Sequence, residues 1–136
     1  MRTKLTLIAG SLWLAMAAAP AVAHHSFAAE YDSTKPVKVT GVVTRVEWTN
    51  PHIWFFVDVK GNDGVVTNWG FSGGPPGVLQ RRGIPRSAMK VGDVIVVEGF
   101  RARDGSNNGS GGTVTFTDGR RVFTASQEDT LPKADK

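Results

Sequence analysis

Cysteine is absent from all 136 residues. That absence removes disulfides, thiolate nucleophiles and cysteine-based zinc sites together. Histidine is scarce, with three residues, and there is a single tyrosine. No phosphate-binding glycine loop, paired-carboxylate pattern or Ser-His-Asp order occurs, so no catalytic residues are assigned and a binding protein is expected rather than an enzyme. Charge is modest at +4 for the full chain, which gives no case for a nucleic-acid or anionic-membrane partner. Beyond residue 23 no stretch is apolar for long enough to span a bilayer.

What is present begins with a leader. Arg2 and Lys4 precede an apolar stretch from Leu5 to Ala19, and Pro20-Ala21-Val22-Ala23 supplies a helix breaker and small residues. These are the parts of a cleavable secretory signal over residues 1–23. Cleavage after Ala23 is the expected site, with Ala18-Ala19 a second small-residue option. A periplasmic or secreted chain of 113 residues, carrying a net charge of +2 after the loss of Arg2 and Lys4, is the expected product. That length suits one domain with a modest core and no transmembrane segment.

The rest divides into an N-terminal arm (24–35), a β domain (36–126) and a polar C-terminal tail (127–136), expected to fray. A first strand is predicted over 36–48, with Val37 and Val39 on one face. The apolar phase shifts after Gly41, which predicts a bulge or a sharp bend there and a long strand serving two sheets. Ile53, Phe55, Val57 and Val59 alternate with polar and aromatic neighbours in a second strand over 53–60. Gly61-Asn62-Asp63-Gly64 predicts a hairpin turn, and Val65 to Phe71 a third strand. The prolines at 75 and 76 start a short helix ended by Gly83, and a second helical turn is expected over 87–90. Val94 to Phe100 is nearly all apolar and suits a buried fourth strand. Residues 103–112, rich in Gly, Ser and Asn, read as a flexible loop. Short strands at 113–117 and 121–125 complete the pattern. The expected fold is all-β, a five- to six-stranded Greek-key barrel of the oligonucleotide/oligosaccharide-binding (OB) type with a short helix between strands 3 and 4. A small β-sandwich is the competing architecture.

The segments HHSFAAEYD (24–32), TGVVTRVEWTNPHIWFFVDV (40–59), VGDVIVVEGFRARDGSN (91–107) and TDGRRVF (117–123) resemble an uncharacterised family of small exported bacterial proteins. Its members start the mature chain with HHSF and carry an E-W-x-N-P-H motif. The resemblance implies a secreted OB-like domain and no established activity. The chain departs from that pattern at or beside Ser72, where an acidic residue is common, and at Ile84, where a tryptophan often follows R-R-G.

Three groups of residues carry candidate chemistry. Cleavage after Ala23 would free the α-amine of His24 beside its own imidazole. Amine and ring nitrogen close a chelate on one metal ion, and His52 or His25 supplies a further imidazole, an arrangement known as a histidine brace. All-nitrogen ligation favours copper among the divalent first-row metals. Zinc is the weaker candidate, since no carboxylate or cysteine stands at a recognisable spacing. Glu47 is the carboxylate positioned in sequence to orient His52. The bland alternatives are a solvated His-His terminus and a His52 that merely ties its loop through a backbone carbonyl. Second, Trp54 and Phe56 alternate with core positions and form a candidate ligand-binding platform, whereas Phe55, Trp69 and Phe71 read as core. Third, Asp104 and Asp118 precede glycines and are expected to hold their own turns. Arg81, Arg82, Arg101 and Arg103 read as solvated faces or a small-anion site. The expected partners are a metal ion or small ligand, and a membrane or periplasmic partner protein. The alternative is a metal-free module that binds a peptide, saccharide or protein on the aromatic face.

Overall fold

β-Branched and aromatic residues in alternation dominate the chain from residue 31 onward, and the protein is mostly β. The computed structural model describes residues 27–125. It begins with a single helical turn, α1 (Phe27–Glu30), followed by β1 (Tyr31–Glu47), β2 (Trp54–Lys60) and β3 (Val66–Ser72). A short helix α2 (Pro76–Arg81) and a 3-10 turn (Arg86–Ala88) come next, and then β4 (Val94–Ala102), β5 (Asn108–Phe116) and β6 (Arg121–Phe123). The short helix thus lies between strands 3 and 4, as the prolines predict. Among the described residues no helix is long and apolar enough to cross a membrane.

The first strand is the organising element. Its early half pairs with β4 from Tyr31 to Val42, and its later half pairs with β2 from Val42 to Glu47. Val42 faces both Asp58 and Val94 at the changeover. Gly41 stands next to it, where an added Cβ would lie 2.2 Å from the carbonyl oxygen of Asp58. Only a glycine lets the two backbones approach so closely. The expected bulge is displaced: the register shift falls between Val43 and Arg45, not at Gly41. Glycine marks close approach here, while the extra residue is accommodated at Thr44. β1 also starts earlier than predicted, because Tyr31 of the arm pairs with Ala102 of β4 ahead of the continuous pairing that begins at Pro36.

Strand pairings run β1–β2–β3–β5–β4 and return to β1, with β6 added to β5. All pairs are antiparallel except β3–β5, which is parallel over Gly70 to Ser72. The core lies inside this closed circuit. Ile53, Phe55, Val57, Phe71, Leu79, Ile95, Val97 and Val114 are fully buried in it. β4 departs from the expected doubly buried strand: Ile95 and Val97 face the core, while Val94 is 43% exposed.

The largest correction concerns residues 108–112. The run that reads as flexible loop is the first half of β5. Gly109 and Gly111 are buried because aromatic rings lie directly on them. An added Cβ would come within 2.7 Å of the Phe55 ring at Gly111 and 3.0 Å of the Phe71 ring at Gly109. The absence of side chains, which suggests disorder in sequence, here makes room for two core phenylalanines. Burial of each ring is worth roughly 1.5–3 kcal/mol.

Gly111→Ala should therefore destabilise the protein by about 1–3 kcal/mol through overpacking. Gly77→Ala, within α2 and with only the Arg81 guanidinium within 3.5 Å, should instead stabilise by up to about 1 kcal/mol from helix propensity. Urea unfolding midpoints of the two variants check both signs.

Candidate functional site

His52 stands in the link between β1 and β2, half-buried at the start of an apolar strand. Its Nδ1 lies 2.9 Å from the carbonyl oxygen of Gly73. A carbonyl only accepts, so Nδ1 carries a proton, and in the neutral ring Nε2 is the lone-pair nitrogen. The backbone around the pair is laced together. Gly73 N–H donates to Ile53 O at 2.9 Å and Ile53 N–H to Gly74 O at 3.2 Å. A side chain at Gly73 would meet Ile53 at 2.7 Å. The segment after β3 therefore fixes both the position and the tautomer of the ring.

The start of the described chain reaches the same place. Tyr31 is buried, and its hydroxyl hydrogen-bonds the Ser72 hydroxyl. Ser72 directly precedes Gly73 and pairs with Trp54. Phe27 packs on Tyr31 with centroids 5.4 Å apart and edge-on to Phe100 at 5.9 Å. Arg103 secures α1 from outside: its Nε donates to Ala28 O at 2.7 Å and its N–H to Glu30 O at 2.8 Å. Chain entry, Ser72, Gly73 and His52 are thus linked by direct contacts. Sequence reasoning missed the Tyr31–Ser72 pair, because 41 residues separate the two. The only available signal was that this is the chain's sole tyrosine.

His24 and His25 lie outside the described residues. Among the described residues no three His, Cys, Asp or Glu side chains are grouped to hold a metal ion. Glu47 forms an ion pair with Arg45, Nε to Oε1 at 3.3 Å, and the His52 Nδ1 is taken by the Gly73 carbonyl.

Trp54 and Phe56 come together on the face opposite the core, stacked with centroids 6.3 Å apart and planes 22° from parallel. Both are half-buried. The guanidinium of Arg45 lies 3.8 Å above the Phe56 ring, a cation–π contact. Nearby, Asn68 bridges Asp58 at 2.7 Å and Thr44 at 3.2 Å. Phe55 and Phe71 stack in the core at 5.6 Å, as the alternation predicts. Trp69 is half-buried against that core, with Arg101 5.5 Å from its ring.

The remaining charges do structural work. Asp104 accepts from Ser106 N–H at 2.9 Å and from the Ser106 hydroxyl. Asp118 accepts from Arg120 N–H and Nε, each at 2.9 Å. These hydrogen bonds, led by the side-chain ones, hold both carboxyls below their ordinary pKa, as the Thr34 bonds do for Asp32. Arg101 donates to Gly105 O at 3.0 Å, and Arg82 to Ala125 O at 3.0 Å. Arg82, Arg101 and Arg103 are thereby tied to backbone carbonyls rather than standing as bare solvated cations. At the two positions of departure from the resembled pattern, Ser72 holds Tyr31 and Ile84 is buried in the core.

The chain matches the model of a family of unknown function, DUF6152, over residues 11–112. It belongs to that family. The matched span takes in the later part of the apolar stretch before residue 20, His24, His25 and His52, and runs through the glycine-rich half of β5. A search of curated proteins finds no match. Family membership brings no activity with it, so the reading of function rests on the residues themselves.

Nitrogen NMR of the imidazoles at neutral pH should show His52 as the Nδ1–H tautomer, and Nε2–H would contradict the Gly73 contact. The depressed carboxyls give a separate pH dependence. Their stabilisation is complete above the unfolded aspartate pKa, about 3.9, and disappears as pH falls through the lower folded values. Wild type should exceed Asp104→Ala in urea midpoint at pH 7, and the gap should close below about pH 4.

Proposed function

We propose that this chain is an exported copper-binding protein whose ligands are the freed amine and imidazole of His24 together with Nε2 of His52, with His25 as a further nitrogen. The observation that carries this reading is the contact chain from Phe27 through Tyr31 and Ser72 to Gly73 and His52. Three residues, 24–26, precede Phe27, a reach of roughly 10 Å when extended. An Nδ1 proton donated to a carbonyl, leaving Nε2 for a metal, is the usual arrangement of a metal-ligating histidine. The closed strand circuit supports the companion proposal that the domain is an OB-like Greek-key barrel, with this site at its rim. The leader sequence supports export to the periplasm, where a carrier, sequestering protein or accessory to a membrane partner would act.

A second reading has its own observation. The Trp54–Phe56–Arg45 stack presents aromatic surface away from the core, the kind of surface on which a peptide or saccharide packs without any metal. Mass spectrometry of the exported protein establishes whether His24 is the terminus. Copper titration should then show at least about tenfold weaker binding in His24→Ala and in His52→Ala, and weakening in wild type as pH drops through the imidazole and amine range. Unchanged affinity in both variants rejects the copper reading. Ligand binding that survives metal removal but is lost in Trp54→Ala selects the second.

A further inference from the structure

Charge is spread unevenly along this chain. No aspartate or glutamate occurs between Asp63 and Asp93, a stretch that carries Arg81, Arg82, Arg86 and Lys90. All four cations lie in the insert between β3 and β4, and all four are exposed. Leu79, Ile84 and Met89 hold the insert down, each buried in the core, so the cations between these anchors are turned to solvent. Among the described residues, ion pairs engage Lys35, Lys38, Arg45, Arg120 and Arg121 and no cation of the insert. Arg82 is tied to the Ala125 carbonyl. Asp93 accepts from the Lys90 backbone N–H at 2.8 Å, and its single negative charge stands against four positive ones. The insert ends in uncovered apolar surface. Val91 is 68% exposed, and Val42 and Val94, partners in register, are 42% and 43% exposed. Gly92 N–H donates to Val43 O at 2.8 Å and Val43 N–H to Asp93 O at 2.9 Å, which fixes these valines together at the end of the basic stretch.

We propose that the insert between β3 and β4 is a membrane-contact surface that lies against anionic phospholipid. The net charge of the whole chain makes no such case, but exposed charges act only within a Debye length, about 10 Å at 0.1 M salt. Local density therefore decides, and four basic residues on one short insert reach the size of the clusters that anionic leaflets hold. Two observations favour lipid over an acidic protein. Arg81, Arg86 and Lys90 have no fixed side-chain partner, which suits a fluid layer of phosphates better than carboxylates at set positions. Val42, Val91 and Val94 add apolar surface beside the charge, the combination found on segments that settle at the headgroup boundary. This contact is independent of the proposed copper ligands.

Flotation with lipid vesicles tests this. The protein should bind vesicles made of equal parts phosphatidylglycerol and phosphatidylcholine, and the binding should weaken as salt is raised. Equal binding to vesicles of phosphatidylcholine alone, or none to either, overturns the proposal. The triple variant Arg81→Gln/Arg86→Gln/Lys90→Gln should bind anionic vesicles at least about tenfold more weakly, with its urea midpoint unchanged. Lys35→Gln/Lys38→Gln/Lys60→Gln removes as many charges from exposed positions on β1 and β2 and should keep most of the binding. Equal losses in the two variants mean that net charge alone acts, and overturn the assignment to the insert. Val91→Asn should weaken binding, whereas Val65→Asn, in the β2–β3 link and 59% exposed, should not. Amide shifts of the insert that move with inorganic phosphate, in a protein that ignores both vesicles, assign a soluble anion instead and overturn the lipid proposal.

Discussion

Two phenylalanine rings resting on glycines of β5 hold this domain together. Phe55 and Phe71 project from β2 and β3 into the space where Gly109 and Gly111 of β5 would otherwise carry Cβ atoms. That packing lets β5 lie parallel to β3, and the β3–β5 pairing closes the circuit of strands. Without it the sheet would have open edges at β3 and a core exposed on one side. Buried aromatic area and paired backbone groups come from the same contact.

Closure also creates the surroundings of His52. The chain leaving β3 at Ser72 runs between the arm, through Tyr31, and the β1–β2 link, through the Gly73 carbonyl and Ile53. A core-driven event thus fixes the ring nitrogen that faces away from the backbone. On the opposite side of β2, the same alternation turns Trp54 and Phe56 outward under Arg45. One strand therefore supplies core, rim and aromatic face. The charged residues of the late turns contribute local rigidity instead: Asp104 and Asp118 spend their hydrogen-bonding capacity on their own loops.

Much of this was legible residue by residue. The inward set Ile53, Phe55 and Val57 follows from period-two alternation, and the short helix follows from Pro75-Pro76. Asp104 and Asp118 behave as D-G turn residues do. The reading failed where a residue's meaning depends on a distant partner. Gly109, Gly111 and Gly112 look alike whether solvated or pressed under rings, and the ring positions come from strands far away in sequence. Tyr31 and Ser72 carry no mutual signature at all.

The sequence by itself determined the alternation of faces, the turns, the helical insert and the stock of three histidines, because each depends on local backbone preference or on composition. Tertiary structure decided which glycines are buried, where β1 changes partner, which nitrogen of His52 is bonded, and that the arm meets the end of β3. Those are long-range outcomes: they depend on which surfaces the closed circuit brings within contact distance, and no short window of residues encodes that.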